Sequence, residues 1–278
     1  MRSWSRGVAV TRDARLLTSV DGGFVRGYVD RYDAHTGKRL GSYNNFYRGA
    51  SHPNAFSVSD DGAVFITERK HYAKHDCGGY DHTISDYRYF SNVLVWTPDL
   101  VFSHNVFVGP DRSEPPGVLT DAFGVCATAS RIFVAQGKFG TIAVYTRSGA
   151  FVKRFGARGT RAGQLAEPRG VCLTAKRRAL LVAELRNERV SMFTVAGAFV
   201  RHLGVHKLTQ PSHVACSLDN DVFVAGQDYV SVLNMHDELL LRLRLTWTTP
   251  HADKCVSGLA WSAGSLYVQT GECCCVFQ

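Results

Sequence analysis

The chain has 278 residues, 45% hydrophobic and 20% charged, with no low-complexity tract or Pro/Ser-rich linker; this excludes a disordered or fibrous protein and predicts one compact domain. No apolar run reaches the roughly 18 residues that span a bilayer, and the first seven residues lack the apolar core of a secretory leader, so a soluble intracellular protein without a membrane partner is expected. A net charge of +8, from 32 Lys and Arg against 24 Asp and Glu, favours an anionic partner by long-range attraction.

In chain order, short β-branched or aromatic runs alternate with turn residues and predict strands. The first four lie at 7–10, 15–20, 28–32 and 38–40, and the next four at 55–58, 63–68, 92–96 and 100–103. A third set at 124–129, 131–136, 141–145 and 150–156 is matched by a fourth at 170–175, 179–184, 189–193 and 198–204. A fifth set follows at 213–217, 221–226, 229–233 and 238–243, and a sixth at 258–261, 265–270 and 273–277 has three runs. First runs start at residues 7, 55, 124, 170, 213 and 258, a spacing of 43 to 48 residues broken by one interval of 69.

Self-similarity at this period is the signature of radial repetition. An isolated four-stranded sheet leaves two apolar faces wet, and stacking the sheets around a circle buries them all. The expected fold is therefore all-β: a six-bladed β-propeller of four-stranded blades, spanning about 7–48, 53–110, 116–157, 164–205, 209–247 and 255–278 of one domain. The last blade is expected to be incomplete, or closed by a strand from residues 3–6. Two positional patterns support the radial placement. The third residue of each first run is small (Ala9, Ser57, Cys126, Cys172, Ala215, Ala260), as crowding near a central channel requires. The third runs carry Tyr32, Trp96, Tyr145, Phe193, Leu233 and Phe277 at one place, large groups suited to the wider wedge between blades. Just before that place Arg31 stands where the other units have Val95, Val144, Met192, Val232 and Val276.

The fourth unit carries Gly159, Gly163, Gln164, Pro168, Gly170, Asn187, Arg189 and Val190 at the characteristic positions of one repeat. On these residues the chain resembles the NHL-repeat β-propeller family; the Gly-His and Trp-Asp pairs of WD-type propellers are absent. The resemblance implies that second-to-third-strand loops and outer-to-inner-strand loops share one face. That face would carry Lys138, Arg158, Arg161, Arg169, Arg186 and Arg189. In TRIM-type NHL proteins the equivalent face binds single-stranded RNA with cations and aromatics, and NHL-like propellers also include lyases and hydrolases with a metal in the channel.

A channel metal needs His or carboxylate ligands converging from several blades. His52, His213 and His251 lie near first strands but at different offsets, and Gln136, Gly226 and Gln269 interrupt the ring begun by Glu68 and Glu184. Cys273, Cys274 and Cys275 are consecutive, so in a strand they alternate between faces. No catalytic residue, metal or cofactor is expected. The long interval holds an insertion at 70–91 in the second blade, rich in tyrosine, in which His71, His75, Cys77 and His82 are conceivable metal ligands, although Cys77 is a lone thiol and the spacing matches no zinc finger. Its Tyr72, Tyr80, Tyr87 and Tyr89 suit a contact loop, because tyrosine offers large area at low entropic cost. The expected function is thus a non-catalytic scaffold for a protein partner, with RNA or another polyanion as the alternative and a propeller lyase or hydrolase as a second alternative.

Overall fold

Runs of β-branched and aromatic residues joined mostly by two- to five-residue turns pair with their immediate neighbours, because local antiparallel hairpins close at the least entropic cost. The computed structural model describes residues 7–20, 28–43, 50–72, 88–106, 121–176, 178–245, 256–271 and 273–278, with backbone alone at 20, 50–52, 69–72 and 88–90. Blade 1 comprises β1 (Val8–Val10), β2 (Arg15–Val20), β3 (Tyr28–Asp33) and β4 (Arg39–Tyr43). Blade 2 has β5 (Ala50–Val58), β6 (Val64–Tyr72), β7 (Arg88–Trp96) and β8 (Phe102–Val106). Blade 3 has β9 (Ala122–Ala127), β10 (Arg131–Gln136), β11 (Thr141–Thr146) and β12 (Phe151–Phe155). Blade 4 has β13 (Pro168–Leu173), β14 (Ala179–Glu184), β15 (Arg189–Thr194) and β16 (Phe199–Leu203). Blade 5 has β17 (His213–Cys216), β18 (Val222–Ala225), β19 (Tyr229–Leu233) and β20 (Leu239–Arg244). Blade 6 has β21 (Val256–Ser262), β22 (Ser265–Thr270) and β23 (Cys274–Phe277).

Each set forms one antiparallel sheet in sequence order, and the innermost strands touch in succession, with β21 packed on β1 to complete the circle. The protein is a six-bladed β-propeller, and no helix occurs among the described residues. The sixth sheet has three strands among those residues. The expected closure by residues 3–6 lies outside them.

The two positional patterns of the sequence acquire a physical cause. On an inner strand, successive side chains point to opposite neighbouring blades. Cys126 packs in one core with Val171 of the next blade, Cys172 with Val214, and Ala215 with Leu259. A small residue thus meets a larger apolar one at each of these inner contacts. Trp96, Tyr145, Phe193 and Leu233 are buried against the preceding blade. In every four-stranded blade the pairing of third and fourth strands shifts register at this same position. A bulge there adds twist and turns the large side chain into the wedge. Arg31 holds true register opposite Leu17, and its guanidinium lies 5.4 Å over the Tyr43 ring.

The insertion of blade 2 differs from a simple loop. β6 and β7 run nine residues each, and the ladder continues through Lys70↔Phe90, His71↔Tyr89 and Tyr72↔Arg88. The ends of 70–91 therefore extend a hairpin. Tyr80 and Tyr87 lie outside the described residues.

Candidate binding face and channel mouth

Glu184 ends β14 directly opposite Arg189, the first residue of β15. Its carboxylate is fully buried. Oε1 accepts from Arg189 Nε at 2.8 Å and from the Ser191 hydroxyl, and Oε2 accepts from Asn187 Nδ2 at 2.6 Å and Ala166 N at 3.0 Å. Arg189 also donates to the carbonyls of Thr160 (2.9 Å) and Gln164 (3.2 Å), while Asn187 donates to that of Gly159 (2.9 Å). A buried charge is tolerated when it is paired and its remaining hydrogen-bonding capacity is used. Here those bonds fasten the 156–167 connection onto blade 4. At Gly159 a Cβ would collide with the Gln164 side chain, whose Oε1 accepts from Arg161 N at 3.0 Å.

This arrangement corrects one expectation: Arg189 is not part of an accessible binding surface. Its side chain is only 10% exposed, and its donors are consumed internally. Arg169 is half-buried, bonded to Glu167 and stacked 4.5 Å over the Phe123 ring. Arg186 is exposed and donates to the other Glu167 oxygen at 2.9 Å. Burial opposes ionisation of Glu167, yet Arg169 and Arg186 together hold its carboxyl below the usual range. Lys138, Arg158 and Arg161 are exposed and have no ion-pair partner among the described residues. Lys138, Arg158, Arg161 and Arg186 lie in second-to-third-strand or outer-to-inner-strand connections, and Arg169 and Arg189 at the strand starts that follow them, so the antiparallel order places all six at one end of the blades with the blade 2 hairpin extension. Of the four tyrosines, Tyr72 and Tyr89 fall on its ladder; their side chains lie outside the described structure.

The channel opens on this same end as a cavity of about 490 Å³, and a second cavity of about 300 Å³ opens at the other end. The two share Val8, Phe56, Val125, Val171, Val214 and Leu259, one residue per blade, which form an apolar waist. Most polar side chains of the mouth come from blades 4 and 5 (Arg169, Gln210, Ser212, His213 and Gln227), with Asn54 from blade 2 and Ser257 from blade 6. Ser212 Oγ lies 3.0 Å from His213 Nδ1. Burial, reinforced by the Arg169 charge, pushes the imidazole down to about 4, so it is neutral at pH 7. No group of three His, Cys, Asp or Glu among the described residues is placed to hold a metal ion.

The waist and the Glu184 hub escaped the sequence reading. The waist alternates with the small inner residues and was visible as their apolar neighbours. The hub had a signal as well, an acidic residue ending an apolar run with arginine five residues on.

The fold and face define a β-propeller with a basic loop end. No family model matches the chain, and no curated protein matches it in sequence. Solved structures share the fold. A chain of a nidogen/laminin complex superposes with a TM-score of 0.64 at 13% identity, covering 94% of this chain and 85% of its own. A streptogramin B lyase gives 0.61 at 12% identity, covering 100% and 83%. A catalytically inactive virginiamycin B lyase from Staphylococcus aureus with quinupristin gives 0.60 at 13% identity, covering 96% and 78%. The architecture is thus shared by lyases and by a chain from a protein complex. No helix among the described residues is long and apolar enough to cross a membrane.

Proposed function

We propose that the chain is a divergent NHL-type propeller acting as a non-catalytic scaffold, and that its basic loop end takes an acidic protein surface. The observation carrying this reading is the division of labour among the arginines. Arg189 is spent on rigidity, whereas Arg158 and Arg161 project from the connection that it and its neighbours hold in place, and Lys138 from a turn held by Asp121. A preorganised set of cations loses little entropy on binding and speeds encounter with an anionic partner. Two aromatic rings beside the cations are already engaged: Phe123 lies under Arg169, and Phe139 lies within 6 Å of both Lys138 and Arg154. That favours a protein partner over single-stranded RNA, which needs open rings for base stacking. The blade 2 hairpin extension supplies the part of the face that differs from blade to blade.

The test is capture from the native source, with and without nuclease, by the parent chain and by Arg158→Glu/Arg161→Glu. Lys176→Glu, in the first turn of blade 4 at the opposite end, is the control. Nuclease-resistant capture that falls at least tenfold in the double variant, about 1.4 kcal/mol, and is unchanged in the control supports the reading. Capture abolished by nuclease selects RNA instead. Replacing residues 73–87 by a short Gly-Ser bridge is expected to weaken capture while leaving the melting temperature nearly unchanged.

A further inference from the structure

The turn from β22 to β23 carries Cys273 immediately outside the ladder, whose pairing begins at Gln269↔Cys274. Strand alternation sends Cys274 into the core beside Val8, Leu16 and Tyr267, and leaves Cys273 and Cys275 on the other face. Their sulfurs are 3.9 Å apart, and Cys273 is exposed. Thr270 Oγ1 lies 3.3 Å from the Cys273 sulfur, and the turn is fastened mainly through the backbone of Cys273. Its N donates to Thr270 Oγ1 at 3.1 Å, and its carbonyl accepts from Thr270 N at 2.8 Å and Gln269 Nε2 at 3.1 Å. Rotation about the Cys273 side chain, which exchanges the Thr270 hydroxyl for Cys275, is therefore the motion that can bring the sulfurs to the roughly 2.05 Å of a disulfide without moving the strand.

We propose that Cys273 and Cys275 form a dithiol/disulfide pair that exchanges with a low-molecular-weight disulfide. The exposed Cys273 thiolate attacks one sulfur of the external disulfide RSSR; that S–S bond breaks, and the leaving RS⁻ takes a proton. Cys275 then loses its proton and attacks Cys273 Sγ, displacing the second RS⁻, which is protonated in turn. Two protein thiols are oxidised and one RSSR is reduced to two RSH. The order of attack follows from the surroundings. Burial, the Cys273 charge and a hydrogen bond to Cys273 keep Cys275 protonated, whereas Cys273 is open to solvent. Cys274, pushed up to about 12 by burial and by its two neighbours, takes no part. The pair sits on the same end of the blades as the cations, and Gly271 of the same turn lines the channel mouth. Oxidation would therefore mark one rim of the proposed face.

The experiment uses the full chain with Cys77→Ser and Cys255→Ser, the two cysteines outside the described residues, treated with glutathione disulfide and read by intact mass and peptide mapping. The expected product has lost two hydrogens, is restored by dithiothreitol, and still forms when Cys274→Ser is added. Adding Cys275→Ser is expected to trap a glutathione adduct on Cys273, and adding Cys273→Ser to abolish both products. A stable Cys273 adduct in the chain that retains Cys275, a bond to Cys274, or no reaction would each overturn the proposal. Circular dichroism of every variant separates loss of the pair from loss of the fold.

Discussion

Blades 3 and 4 have the same strand lengths and nearly the same register, yet they secure their second turns with different chemistry. In blade 3 Gln136 faces Thr141 across the ladder, and the Thr141 hydroxyl donates to Gln136 Oε1 at 3.2 Å. Asp121, at the entrance to β9, accepts from Gly137 N at 3.2 Å through its carbonyl and from Lys138 N at 3.0 Å through its carboxylate. In blade 4 the equivalent positions hold Glu184 and Arg189, which grip three carbonyls of the incoming connection together with Asn187. Neutral and charged solutions fill one structural slot. The residues that make blade 4 most recognisable in sequence are therefore fasteners, and the surface they support is built from residues with no repeat signature.

The largest expected effect comes from cutting the charged fastener. Glu184→Ala leaves the Arg189 guanidinium buried without its partner, and loss of one member of a buried pair costs about 3–5 kcal/mol. Gln136→Ala removes a neutral acceptor at the equivalent place and should cost about 1–2 kcal/mol. Urea denaturation of both variants checks the ranking. Equal losses would mean that the charge of Glu184 adds nothing to the hub.

His213 sits where blade 5 meets the Arg169 side of blade 4, and it makes stability depend on pH. The folded imidazole is depressed to about 4 from an ordinary 6.5, so the unfolded chain binds more protons between those values. Its contribution is complete above pH 6.5 and is lost as pH falls toward 4, up to about 3 kcal/mol in all. Replacement by Gln should flatten that part of the pH–stability curve. An unchanged slope between pH 6.5 and 4 would place the acid sensitivity elsewhere.

Gly170 separates the same two blades. A Cβ there would lie 2.7 Å from His213 Cα, and one on Gly124 would meet the backbone of Arg169 and Val171. Gly170→Ala should cost about 1–3 kcal/mol by overpacking, whereas Gly264→Ala, where a Cβ meets open space, loses only what its positive φ demands. Melting temperatures of the two variants give the comparison. These inner contacts also explain what the sequence made legible. Six blades could be counted from the strand runs and their spacing, and the small third residue of each first run is the sequence trace of contacts such as Cys126 with Val171 and Cys172 with Val214. The bulges beside Tyr145 and Phe193 leave no composition signal, because a bulge is set by backbone twist. Arg189 was misplaced on the surface for a different reason. Sequence gives the residue and its neighbours along the chain, but Thr160 and Gln164, which cover it, are brought back only by the return of the connection.

The smallest expected effect on stability comes from Arg158→Gln/Arg161→Gln. Both side chains are exposed on the 156–167 connection, and neither has an ion-pair partner among the described residues. Removing them deletes no buried contact, so the double variant should unfold within about 0.5 kcal/mol of the parent. Arg161 contributes to the connection through its backbone N–H, which bonds to Gln164 Oε1 and survives any change of side chain. Arg189, fewer than thirty residues further on and of the same type, cannot be changed without opening the hub. Salt offers a finer discrimination, because screening shortens the reach of exposed charges to about 8 Å at physiological ionic strength. Capture of an acidic partner should weaken as salt is raised in the parent and depend less on salt in the double variant, while the unfolding midpoints of the two proteins stay together. A double variant that unfolds as easily as Glu184→Ala would show that the exposed arginines, too, belong to the framework, and the binding face would then have to be sought on the blade 2 hairpin alone.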